Sequence, residues 1–96
     1  MTHQTARLVL SERTLSAVQA EATRAYLQHG ERSMLGSGFN DERLPILVEE
    51  VGEVARALNE ERLGNLNDDN ARLIRELIQV AAMAASWVQA LEGGAP

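Results

Sequence analysis

An all-α fold with three main helices follows from three properties of the sequence. Apolar residues recur every three or four positions over long stretches. No run alternates with a period of two for long enough to make a strand. Glycine-bearing breaks at residues 36–41 and 63–68 cut the chain into three pieces. The composition agrees. Tyr26, Phe39 and Trp87 are the three aromatics, so the 45% apolar fraction is mostly aliphatic and alanine, which favours helix. Residues 7–10 fit a short extended arm or an early helical turn equally well.

The first helix is expected from about residue 12 to about residue 33, capped by Ser11 or Thr14. Its apolar stripe is Leu15, Val18, Ala22, Ala25, Tyr26 and His29. The second is expected to start at Pro45, because proline suits a first helical position whose N–H has no partner. Gly64 suits its far end. Leu47, Val51, Val54 and Leu58 form its apolar face. The third is expected to start after Asn67 or Asp68 and to reach about Glu92. Leu73, Ile74, Leu77, Ile78, Val80, Ala81, Ala84, Ala85, Val88 and Leu91 cover more than half its circumference. Three short helices cannot surround an arc that wide. Oligomerisation that completes a four-helix-type bundle is the expectation, because one domain of 96 residues buries only about 60–65% of its unfolded surface. Residues 1–7 and 93–96 are expected to be flexible ends of that single domain.

Charge and composition exclude several functions. Fourteen acids against nine bases give a net charge of -5, which argues against a nucleic-acid polymer or an anionic membrane as partner. The longest apolar run, residues 77–88, is interrupted by Gln79 and Ser86 and falls short of the roughly 20 residues of a bilayer span. A cytoplasmic location is expected. No cysteine means no disulfide, thiolate metal site or thiol nucleophile. Every basic residue is arginine, so any phosphate clamp is built from arginine and metal.

Glu49, Glu50 and Glu53 carry the chemistry. On a helix Glu53 lies about 60° from Glu50 and about 40° from Glu49. Glu50 flanks the apolar stripe, so it cannot point straight into water. Close carboxylates repel, and partial burial adds a desolvation cost. A divalent cation relieves both, and magnesium takes oxygen ligands. An antiparallel third helix brings Glu76 towards Glu50 and Glu53, with Arg72, Gln79 and Met83 on the same side. The plain alternative is a solvated charged face. Gly52, unfavourable inside a helix by about 1 kcal/mol, points to close backbone approach there.

The string ILVEEVGEVARAL at residues 46–58, followed by RELIQVAAMAASW at 75–87, resembles the MazG-like branch of the all-α nucleoside triphosphate pyrophosphohydrolases. QHGERS at 28–33 resembles a stretch upstream of that branch's glutamate helix. The likeness spans roughly residues 20–92. It implies magnesium-dependent hydrolysis of a (d)NTP to (d)NMP and pyrophosphate, in bundles built from homodimers or homotetramers, with manganese as a possible substitute. The family pattern is EExxE followed by ExxD. Glu49, Glu50, Glu53 and Glu76 match it, and Gln79 stands at the final aspartate, offering a carbonyl oxygen without charge. The implied metal ligands are Glu50, Glu53, Glu76 and Gln79. Glu49, off the ligand line, is the candidate to orient or deprotonate the attacking water.

Arg72, Arg32 and His29 are the candidate substrate contacts. The alternatives are an intrahelical pair of Arg72 with Glu76, a solvated Arg32 and a helix-end role for His29. Tyr26 and Trp87 can stack on a base or pack in the core, and Met34 and Phe39 lie in a loop able to close over a ligand. Two other functions stay open: a non-catalytic nucleotide- or metal-binding relative, and a helical protein-interaction adaptor.

Overall fold

The computed structural model describes residues 9–36, 40–62, 64 and 69–93. The expected flexible ends lie outside these residues apart from Gly93, as does Phe39. The described residues form three α-helices and one short 3₁₀ turn, with no strand among them. No helix among them is long and apolar enough to cross a membrane.

Helix α1 is Glu12–His29. The Ser11 hydroxyl accepts a hydrogen bond from the Thr14 N–H at 3.1 Å, so Ser11 is the cap. The helix ends short of residue 33 because Gly30 turns left-handed, φ 57°, while its N–H donates to the Tyr26 carbonyl. The 3₁₀ turn Gly30–Arg32 follows, closed by the Ser33 N–H on the Gly30 carbonyl. Gly36 then lies so close to the Glu31 backbone that a Cβ there would collide with the Glu31 carbonyl.

Helix α2 is Asn40–Arg62, so Pro45 lies inside it and not at its start. Arg43 is the residue that the Pro45 signal concealed. Its buried guanidinium donates to the Met34 carbonyl at 3.0 Å, the Gly36 carbonyl, and Asn40 Oδ1 at 3.3 Å. That fastens the first turn of α2 to the preceding loop, and Asp41 and Glu42 suit the positive end of the helix. Pro45 leaves the Asp41 carbonyl without its helical donor, and Asp41 is exposed to water. Gly64 ends the helical region as expected, with φ 78° and its N–H on the Glu61 carbonyl at 3.0 Å.

Helix α3 is Ala71–Leu91. It starts later than the sequence indicates because Asp69 and Asn70 are both left-handed, φ 53° and 68°. Asn70 holds the cap position without a side-chain hydrogen bond. The expected caps, Asn67 and Asp68, lie outside the described residues.

Helices α2 and α3 run antiparallel. Trp87 Nε1 donates to Asn40 Oδ1 at 2.8 Å at one end, and Arg72 pairs with Glu60 at the other. Helix α1 packs on α3 as well. The result is a slab of 44 × 43 × 21 Å. Its radius of gyration is 15.4 Å, against about 12.5 Å for a compact chain of this length. It exposes 7131 Å², against about 5,400 Å² for a compact monomer of its mass. Among the described residues the buried apolar ones are Met34, Ala57 and Ala82, and no large side chain is fully enclosed.

Two expectations about α2 need correction. Its inward face is Arg43, Leu47, Glu50, Val54 and Ala57, whereas Val51 and Leu58 are half-exposed. The apolar stripe is wide, and α3 covers only one side of it. Gly52 is not approached by any backbone within the chain: a Cβ there would meet nothing within 4 Å.

Candidate functional site

Where α1, the 3₁₀ turn, α2 and α3 meet, they enclose a cavity of about 310 Å³. One wall carries the ionisable side chains: Glu21, Arg24, His29, Arg32 and Glu50. The rest is Met34, Leu35, Ile46, Ala82 and Met83, with Gln79, Ser33 and Ser86 as uncharged polar groups. Its size is at the low end for a small-molecule site, and apolar walls with a few convergent polar groups are what such sites have.

Helix geometry accounts for the lining. Ala22, Ala25 and His29 continue the α1 stripe one turn at a time. His29 is the last residue of α1, and Gly30 turns the chain so that Arg32 and Ser33 face the same space. The buried Arg43 holds the Met34 and Gly36 carbonyls and so fixes the loop that supplies Met34 and Leu35.

Glu50 joins this cavity to the other acids. Its Oε2 is buried and has no hydrogen-bond partner. Burial pushes its carboxyl above the ordinary glutamate range, and the negative charges of Glu76, Glu53, Glu49 and Glu21 push it further. Glu76 is therefore on the same side of the α2–α3 contact as Glu50, as the antiparallel pairing requires. Gln79 reaches the cavity wall beside Glu50.

The remaining acids are more open. Glu49 is exposed, and Glu53 and Glu76 are half-buried. Glu53 accepts from Arg56 at 3.0 Å. None of these three lines the cavity. Among the described residues no three His, Cys, Asp or Glu side chains stand close enough together to ligate one ion. The donors present are nonetheless of the type that suits magnesium: carboxylate and amide oxygens, one of them orphaned and buried.

The candidate phosphate contacts separate. His29 and Arg32 line the cavity. Arg72 does not; it pairs across helices with Glu60 and not along its own helix with Glu76. Neither aromatic candidate lines the cavity. Tyr26 lines a separate apolar groove between α1 and α3, and Trp87 is tied to Asn40.

Glu21 and Arg24 are the charged cavity residues that sequence reasoning passed over. Arg24 Nε donates to Glu21 at 2.9 Å, its other nitrogens reach Glu21 and Gln28, and the Glu21 partnership raises the Arg24 pKa. The signal was present: Glu21 lies about 40° from Ala25, at the edge of the apolar stripe. No family model, no curated protein and no solved structure matches this chain.

Proposed function

We propose that the chain is a magnesium-dependent nucleoside triphosphate pyrophosphohydrolase, acting in the cytoplasm as a homodimer or homotetramer that completes a four-helix-type bundle. The observation that carries this reading is Glu50. A buried carboxylate oxygen without a donor, repelled by four other acids, is relieved either by a proton or by a cation, and a divalent cation relieves the neighbouring acids at the same time. The likeness of residues 46–58 and 75–87 to the MazG-like pattern supports the same assignment.

The resemblance assigns magnesium, with manganese as a substitute, to Glu50, Glu53, Glu76 and the Gln79 carbonyl oxygen; the three glutamates are not gathered within reach of one ion here, so holding it would need them to converge. The bound ion supplies charge neutralisation and polarises the phosphate oxygens. The other roles fall to the chain. Arg32, His29 and Arg24 face the cavity from the 3₁₀ turn and the end of α1 and orient phosphate oxygens. Arg72, engaged with Glu60, fixes the register of α2 on α3 and contributes to substrate only through that register. Glu49 is the residue assigned to accept the proton of the attacking water, a role that requires its side chain to turn in from its exposed position outside the cavity. Attack at the α-phosphorus breaks the α–β phosphoanhydride bond, giving nucleoside monophosphate and pyrophosphate. The Met34, Leu35, Ile46 and Met83 wall excludes water from the nucleoside side.

The test is pyrophosphate release from a panel of canonical and modified nucleoside triphosphates with magnesium or manganese. Release by the native chain is expected, reduced about 100-fold or more by Glu50→Gln or Glu76→Gln, the scale of losing one electrostatic stabiliser. A second reading is nucleotide binding without hydrolysis. It is favoured by the absence of a three-acid cluster among the described residues. Nucleotide binding with no release under either ion establishes it and ends the enzyme reading.

A further inference from the structure

We propose that the chain binds the phosphate monoester of a long unbranched alcohol, with the phosphate in the cavity and the hydrocarbon chain in the groove between α1 and α3. The proposal shares with the reading above the assignment of Arg32 and His29 to phosphate oxygens, and it does not depend on hydrolysis.

The groove and the cavity adjoin. The groove follows α1 from Leu15 past Val18 and Tyr26 to Leu27, with Ala81 and Ala85 of α3 opposite. Leu15 to Leu27 spans about 18 Å at 1.5 Å per helical residue. The groove holds about 730 Å³ and the cavity about 310 Å³. Ala22, Leu35 and Ser86 line both spaces. Ala22 and Ser86 are small, so Leu35 is the one bulky side chain in the shared wall. It is half-buried and follows Arg32 by three residues. The contact for the head and the passage to the groove therefore belong to one short loop.

The chemistry changes across that wall. All the acids, arginines and histidine of the two spaces line the cavity, and none lines the groove. The polar groups along the groove are uncharged, among them Thr14, Gln19, Thr23 and Gln89. A docked protein segment finds no complementary charge in such a groove. A hydrocarbon chain needs none, and it gains free energy with each methylene it buries.

The head is selected by what the cavity leaves unpaired. Arg24 is committed to Glu21 and Gln28. The Arg32 guanidinium has no hydrogen-bond or ion-pair partner among the described residues. Its planar fork matches two oxygens of a phosphate. Glu50 repels the same group, which sets the head on the side of the 3₁₀ turn.

The test is titration calorimetry of the native chain with inorganic, butyl and decyl phosphate, each below its micelle concentration. Affinity should rise with chain length by up to about fourfold per methylene, the scale of burying a CH₂. Decanol should bind at least about 10-fold more weakly than decyl phosphate, the scale of losing a charge-assisted hydrogen bond. Ala85→Glu, at an exposed position in the groove, should remove the dependence on length and leave pyrophosphate release unchanged. Leu27→Asp on the facing helix makes the same test if that variant does not fold. Arg32→Gln should weaken decyl phosphate to the level of decanol. Affinity indifferent to chain length overturns the proposal, as does decanol binding as tightly as decyl phosphate. A change of association state in Ala85→Glu, with no binding of decyl phosphate to the native chain, assigns the groove to a protein and also overturns it. Pyrophosphate release without length-dependent binding removes the amphiphile and keeps the hydrolase. Length-dependent binding without release does the reverse.

Discussion

Glu50 concentrates the electrostatics of the molecule in one carboxyl. Its folded pKa lies above its ordinary value near 4.5, first through burial and then through its acidic neighbours. The native state therefore holds that proton longer than the unfolded chain does. The stability Glu50 contributes is greatest below its unfolded value and is lost as pH rises through its folded one. In a chelator at neutral pH, Glu50→Gln should melt higher than the native chain, and the gap should close near and below pH 4.5. Millimolar magnesium should raise the melting temperature of the native chain by mass action and that of Glu50→Gln much less. A native melting curve indifferent to magnesium would favour the adaptor function. Arg43 gives the opposite case, a buried cation satisfied by carbonyls. Arg43→Met should cost about 3 kcal/mol by leaving those carbonyls unpaired, read as a lower urea midpoint with unchanged slope. Glu50 was legible in the sequence because its angular position beside Leu47 and Val54 is fixed by the helix alone. Arg43 was not, because nothing local distinguishes an arginine that reaches back to Met34 and Gly36 from one in water.

Helix α2 shows how a strong local signal misleads. Pro45 is well suited to begin a helix, and that preference hid five residues of helix before it. Those residues are held by tertiary bonds, Arg43 to the loop and Asn40 to Trp87, which no local propensity encodes. Ser11 and Gly64 were read correctly because capping is local. The inward face was misjudged for a different reason: an apolar stripe wide enough for two neighbours does not say which side the chain itself covers. Gly52→Ala should raise stability by about 1 kcal/mol at concentrations where the chain is monomeric, read as a higher urea midpoint, since the added methyl meets nothing. Gly36→Ala is expected only to destabilise, because its methyl collides with the Glu31 backbone.

As a whole the molecule is a thin plate of helices whose apolar residues outnumber the places to bury them. The three-helix all-α architecture was legible because helical periodicity and two breaks leave little else. The cavity was legible only in fragments. His29, Arg32, Glu50 and Gln79 were singled out separately, but Glu21 and Arg24 join them only through the packing of α1 on α3. Melting should depend on protein concentration, rising with it, because association adds burial that a lone chain lacks; a concentration-independent transition would count against assembly. Thickness has one more effect. The molecule spans only 21 Å in its thinnest direction, so most of its charges lie near water, where salt screens them over about 8 Å at physiological ionic strength, while the buried Arg43 and the inward Glu50 oxygen are screened much less. Added salt should therefore loosen the exposed pairs Arg24–Glu21 and Arg56–Glu53 first and the buried Arg43 bonds least.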